Sequence, residues 1–183
     1  MSQRASSKAI SAADGHPQAP TAVINGVPLD AAPTTLPHVR IELYSQPRYL
    51  SGARDLVSAV AKRFGFDDTA CGQLALAVDE ALCNVIRHGY DRRPDGRIWV
   101  SLWPCSDDEG RPGGIRIVID DLAHQVDPEK IRGRELEDIR PGGLGVYIIR
   151  QVMDAVRYEK RSEGGMRLLM TKLLAPNTGD GTN

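Results

Sequence analysis

Aromatic side chains are scarce in this sequence. Two Trp, two Phe and five Tyr among 183 residues, within a hydrophobic content of 41%, mean that any core is built mainly from aliphatic groups. Cysteine is sparse too. Cys71, Cys83 and Cys105 are an odd number and show no metal-ligand spacing, which argues against a disulfide framework or a cysteine-bound metal. Cys71 and Cys83 fall in an apolar helical pattern, where a free thiol serves as a small core residue; a reducing, cytoplasmic compartment is the expectation. Neither sign of charge dominates: the formal net charge of −1 offers no global attraction for nucleic acid or for an anionic membrane. Long apolar runs are missing as well. None approaches the roughly 18 residues of a membrane span, and the N-terminal MSQRASSKAISAADG lacks the apolar core of a secretory signal. There is no internal repeat, and the length suits one ordinary domain with some extra chain.

What is present is a series of short periodic segments. Residues 1–37 are rich in Ala, Ser, Pro, Thr and Gly without a sustained period and read as a flexible tail, with a weak hairpin signal around Asn25-Gly26. Residues 38–45, HVRIELYS, alternate as a half-buried strand. Pro47 opens a helix whose apolar stripe runs from Leu50 to Phe64, and Gly65 is placed to end it. Asp67 or Asp68 caps a second helix that continues through LALAVDEALCNVIRHGY, followed by the turn DRRPDG. Residues 97–105 and 114–121 read as strands, the second becoming continuously apolar, as a well-covered central strand does. From 122 to 140 the period disappears over a length typical of a lid or another functional loop. A glycine-rich turn then leads into a helix near 146–153. Residues 155–160 and 166–174 close the chain as a hairpin about Gly164-Gly165, and a polar tail follows. Strands of antiparallel type beside helices predict an α+β two-layer sandwich.

Three places carry chemistry. Glu80, Asn84 and His88 recur every four residues and so share one helical face, while their neighbours are mostly small and apolar. Either they are hydrogen-bonded polar residues at a helix edge, or they line a cavity. Asp120 and Asp121 stand at the end of the apolar strand IRIVIDD. Gly142, Gly143 and Gly145 precede a helix, where free backbone N–H groups and the helix dipole suit a phosphate, although such glycines also serve ordinary turns.

In that order, VDEALCNVIRHGY, IDDLAHQVDP and RPGGLGVYIIRQVMDAVRYEKR resemble the GHKL ATP-binding superfamily of gyrase-type topoisomerases, heat-shock chaperones, sensor histidine kinases and mismatch-repair ATPases. Within it the chain is most similar to the bacterial anti-sigma factor serine/threonine kinases. The resemblance covers residues 38–174, which sets expected limits of a tail at 1–37, an ATP-binding kinase domain at 38–174 and a second tail at 175–183. It implies a mixed, mostly antiparallel sheet with helices on one face, and ATP with Mg2+ as cofactors. Asn84 matches the residue that coordinates magnesium, a role an amide oxygen suits. Glu80 matches the carboxylate that polarises the attacking nucleophile. His88 matches a position near the phosphates, with helix-end packing as the alternative. Asp121 matches the adenine-reading aspartate, Asp120 being the competing choice by one position; counting back from Val126-Asp127-Pro128 favours Asp121. An ionised carboxylate only accepts hydrogen bonds, so it selects the amino edge of adenine. Gly143, Leu144, Gly145 and Val146 match the phosphate-binding loop, and Arg140 precedes it within reach of a terminal phosphate. Two positions depart from the pattern: Ala123 replaces a usual glycine near the base, and Met166 replaces a usual polar residue after the Gly-Gly turn.

The function implied is that of a kinase that sequesters a sigma factor and phosphorylates an anti-sigma factor antagonist on Ser or Thr. The alternative is a non-catalytic ATP-sensing module that regulates a partner by binding alone, which the two departures suit. A sensor histidine kinase module fits less well, because no long dimerisation helix with a phospho-accepting His stands upstream. Homodimers are common in the resembled family but leave no signature in this sequence.

Overall fold

The computed structural model describes residues 23–24, 27–106, 110–131 and 144–175. Five strands pair into one sheet: β3 (Val39–Tyr44), β4 (Arg97–Ser106), β5 (Pro112–Asp121), β6 (Ala155–Lys160) and β7 (Met166–Leu173). Their order is β3-β4-β5-β7-β6. Every pairing among them is antiparallel, the limiting case of the mostly antiparallel sheet expected. β5 is central, so both its faces are covered, and its apolar run is accounted for.

The register builds rows of side chains. Ile41, Val100, Ile119, Leu168 and Tyr158 lie opposite one another across all five strands and face a core shared with the helices. On that face pack α1 (Leu50–Arg63) and α2 (Asp68–Asn84), with α3 (Leu144–Val152) against α2. α1 buries Leu50, Ala53, Val57 and Ala61; α2 buries Leu74, Ala77, Val78, Ala81 and Leu82. Each fully buried aliphatic side chain contributes about 1.5–3 kcal/mol, and this single cluster holds the two layers together. Gly65, at φ +99°, ends α1 in a conformation that costs glycine little. Asp67 rather than Asp68 caps α2: its carboxylate accepts from the Ala70 N–H at 2.7 Å, while Asp68 pairs with Lys62 at 2.7 Å on the surface.

The opposite sheet face is built from the alternate residues. Glu42, Trp99, Asp120, Arg167 and Glu159 form its row across the five strands, with Arg97 bonded to Glu42 at 2.5 Å and Arg167 to Asp120 at 2.7 Å. Beside this row the N-terminal stretch lies on the sheet. Leu29 is 2% exposed, and its carbonyl accepts from Thr171 Oγ1 at 2.7 Å and from Arg116 Nη2 at 3.3 Å. The indole of Trp103 donates to the Thr35 carbonyl at 3.1 Å. Part of the stretch expected as a flexible tail is therefore a strap over the sheet. One buried leucine and three side-chain donors hold it, features that its Pro- and Ala-rich composition hides. Within it β1 (Val23–Ile24) and β2 (Val27–Pro28) pair antiparallel, as a hairpin about Asn25-Gly26 requires; those two turn residues lie outside the described residues. Of the segment expected as a lid, residues 122–131 are described, with a 3-10 turn at Pro128–Lys130 capped by Asp127. No helix among the described residues is long and apolar enough to cross a membrane.

Candidate functional site

Beyond Asn84, α2 widens into a single π-helical turn, Val85–Gly89, in which the Tyr90 N–H reaches back to the Val85 carbonyl at 2.9 Å. Such bulges concentrate at functional sites because they redirect side chains that a regular helix would stack. Tyr90, 3% exposed, anchors the end of this turn: its hydroxyl donates to the Arg97 carbonyl at 2.6 Å and accepts from the Leu122 N–H at 2.8 Å. Burial pushes this phenol above its ordinary pKa. The helix end, the start of β4 and the segment after β5 are thus tied at one point.

Between them lies a cavity of about 280 Å³. Asn84, His88, Asp121, Ala123 and Val146, all singled out from the sequence, line it. Its floor comes from Ile119 and Leu168, its sides from Ala81, Val85 and Tyr158, and its outer rim includes His124, Lys130 and Ile131. Glu80 and Leu144 are not among the lining residues. Glu80 lies just outside, against the start of α3: a Cβ built on Gly145 would stand 2.5 Å from Glu80 Oε2 and 3.2 Å from Asn84 Nδ2. The absence of a side chain at 145 is what lets α3 approach this edge of α2. Leu144 is 58% exposed. Gly143 and Arg140 lie outside the described residues.

Asp121 is 4% exposed. Its Oδ1 accepts from the Ala123 N–H at 2.8 Å and the Met166 N–H at 3.0 Å, so both amides use one oxygen and neither engages the other. Burial raises its pKa above the ordinary carboxylate value, while these two N–H groups and Arg161 oppose the rise. The Arg161 guanidinium donates to the Asp121 carbonyl at 2.6 Å, which clamps the strand end to the β6–β7 turn. Asp120 points to the other face, bonded to Arg167. Strand alternation puts Asp121 in the cavity wall and Asp120 on the opposite face.

The two departures from the family pattern have local explanations. Ala123 is 8% exposed, and a Cβ added to Gly89 would stand 2.9 Å from the Ala123 methyl. The methyl occupies room that Gly89 leaves. At Met166 the side chain is apolar, but the backbone N–H supplies the bond to Asp121.

A cavity with an acceptor at one end and glycine-started helix at the other suits an elongated ligand carrying a base and phosphates. A histidine kinase-like ATPase domain is recognised over residues 43–172. The chain belongs to the histidine kinase-like ATPase family. Curated relatives carry the name serine-protein kinase RsbW. That of Oceanobacillus iheyensis is 28% identical over 78% of this chain and 90% of its own length. One from Listeria monocytogenes is 30% identical over 74% and 87%, and that of Bacillus subtilis 25% over 75% and 86%. The resemblance drawn from the three motifs is thereby borne out.

For a histidine kinase-like ATPase, the residues present also fit a magnesium ion that arrives with its nucleotide. No group of three or more His, Cys, Asp or Glu among the described residues could hold a metal unaided. Asn84 sits on the cavity wall, and its Nδ2 is buried without a hydrogen-bond partner among the described residues, which marks this amide as the polar group of the wall that a ligand would engage. Magnesium commonly takes few protein ligands and keeps water and phosphate oxygens. Sequence reasoning passed over Lys130, Ile131 and Tyr158 as site residues. The signal for Tyr158 was its alternation with Val156 on the inner face of β6.

Proposed function

We propose that this protein is an ATP-dependent serine/threonine kinase that sequesters a sigma factor and phosphorylates an anti-sigma factor antagonist. The observation that carries the reading is the division along α2: Asn84 faces the cavity, and Glu80, one turn away, lies beyond it against Gly145. A kinase needs this division, because the carboxylate must meet a hydroxyl arriving from a protein while the nucleotide occupies the cavity. Asp121 accepts a hydrogen bond from the adenine amine. Asn84 supplies an amide oxygen to magnesium, which when bound neutralises charge on the phosphates. Backbone N–H groups at the start of α3, at Leu144, Gly145 and Val146, bind phosphate oxygens, with Gly143 and Arg140 preceding them in sequence. His88, on the cavity wall, is a further donor to the phosphates. Glu80 orients the acceptor hydroxyl and takes its proton as that oxygen bonds to the γ-phosphorus. The bond from that phosphorus to the bridging oxygen breaks, and ADP leaves.

Phosphorylation adds about −1.5 to −2 charges to the antagonist and blocks its rebinding, so the sigma factor is recaptured in the cytoplasm. A second reading, a non-catalytic ATP sensor, draws on the apolar Met166 in the cavity wall, where a polar side chain is usual. Transfer of labelled phosphate from ATP, with magnesium, onto candidate antagonists separates the two. Glu80→Ala should abolish transfer and retain ATP binding. Partner control that survives that substitution intact would favour the sensor.

A further inference from the structure

Tyr158 is a group in the cavity for which the proposed phosphoryl transfer has no use. It stands on β6, facing inward, directly opposite Leu168 of β7, which in turn lies opposite Ile119 of β5. All three line the cavity. Asp121 is two residues beyond Ile119 on the same face of β5, so the carboxylate and the phenol rise from strands separated by β7. Strand spacing puts their backbones roughly 10 Å apart across the sheet, with the apolar Ile119 and Leu168 as the floor between them. A nucleobase on that floor, hydrogen-bonded at both edges, spans such a gap.

Tyr158 is half-buried on the cavity wall, and no hydrogen bond ties its hydroxyl into the described residues as Arg97 and Leu122 tie that of the buried Tyr90. A phenol has an apolar ring that packs and a hydroxyl that hydrogen-bonds, so one on the cavity wall can offer its hydroxyl to whatever occupies the cavity. Its charge state is settled by its surroundings. Burial pushes its pKa up to about 12, with Arg150 opposing only in part. It therefore remains a neutral donor throughout the working range, suited to the lone pair of a purine ring nitrogen. The neighbouring Met166 is apolar at the position where a polar side chain near the base is usual. A donor on the far side of the floor restores one polar contact that Met166 does not make.

Resting on the reading of this cavity as an ATP site, we propose that Tyr158 is a specificity-determining residue, its hydroxyl donating to a ring nitrogen of the bound adenine across from Asp121. The test is calorimetric titration of ATP into the full chain and into Tyr158→Phe, which keeps the ring and its packing and removes only the donor. One neutral hydrogen bond corresponds to about a fivefold loss of affinity, at an unchanged melting temperature of the free protein. The 1-, 3- and 7-deaza analogues of ATP each lack one ring nitrogen. One of them should bind the wild type about fivefold more weakly than ATP but bind Tyr158→Phe no worse than ATP does, a non-additivity that a packing role does not produce. Wild-type protein that binds ATP while Tyr158→Phe binds it equally well, or the same loss for every analogue in both proteins, would overturn the role of Tyr158 and leave the ATP site standing. Wild-type protein that binds no ATP would overturn both.

Discussion

Gly145→Ala isolates the site from the fold. The added methyl would sit 2.5 Å from Glu80 Oε2 and 3.2 Å from Asn84 Nδ2, and real side chains do not tolerate the first of these distances. The carboxylate is the far end of a flexible side chain, so it yields by rotation at little cost in stability. Against that cost stands the higher helix propensity of alanine, worth up to about 1 kcal/mol within a helix. The expected melting temperature is therefore close to that of the wild type. Catalysis should respond differently. A displacement of about 1 Å at a reacting group costs on the order of 100-fold, so phosphate transfer to the antagonist should fall by about that factor. ATP affinity should change less, because the base-binding end, Asp121 with Ile119 and Leu168, is untouched and residue 145 keeps its backbone N–H for the phosphates. The assay is single-turnover transfer of labelled phosphate at saturating ATP, with calorimetric binding and a thermal melt in parallel. Wild-type transfer rates in Gly145→Ala would refute the argument that Glu80 acts from this position. A collapse of the melting temperature would refute the argument that the clash is relieved by rotation.

Two further substitutions test the cavity and the strap. Asp121→Asn should raise the stability of the ligand-free protein near neutral pH and weaken ATP binding by about tenfold or more. The sign follows from a carboxyl whose pKa is raised by burial in the fold: its contribution favours folding below the unfolded pKa and is lost as pH rises through the folded value. By the same shift, wild-type ATP affinity should begin to fall on acidification at a pH above the ordinary carboxylate range, as the acceptor is protonated; unchanged affinity in Asp121→Asn would remove Asp121 from the site. Leu29→Ala should cost about 2–5 kcal/mol in urea unfolding, the range for a buried leucine, and a loss below about 0.5 kcal/mol would show that residues 28–35 do not hold to the sheet.

Most of the architecture was written in local patterns. Alternation in HVRIELYS marked β3 and the apolar stripe from Leu50 marked α1, because burial on one face leaves a period that neighbours in sequence display; the continuous apolar run of IRIVIDD marked β5 as a strand covered on both faces. The polar row Glu80, Asn84, His88 was legible for the same reason. What escaped notice depends on contacts between distant residues. Leu29 is held by Thr171 and Arg116, at the far end of the chain, so no window around residue 29 reveals its burial. The widening at Val85–Gly89 leaves no mark in composition. The fit of Ala123 against Gly89 is likewise a match between two loops, each unremarkable alone. Tyr158 drew no attention within its strand, because only the pairing with β7 places it opposite Leu168 at the cavity.

The polar row on α2 is divided by the edge of the cavity. Glu80 and Asn84 both stand in the regular part of the helix, and His88 in the widened turn that follows. Asn84 and His88 line the cavity, while Glu80 lies outside it. Gly145 is the residue that touches both sides of this boundary, near Glu80 and near Asn84. On the proposed reading, nucleotide binding and phosphate transfer draw on different parts of the same helix. Because they do, changes at Glu80 or Gly145 can remove transfer and leave binding, whereas changes at Asp121 act on binding first. A sensor that only bound ATP would have the same packing reason for glycine at 145, so the carboxylate at position 80 is what distinguishes the two readings.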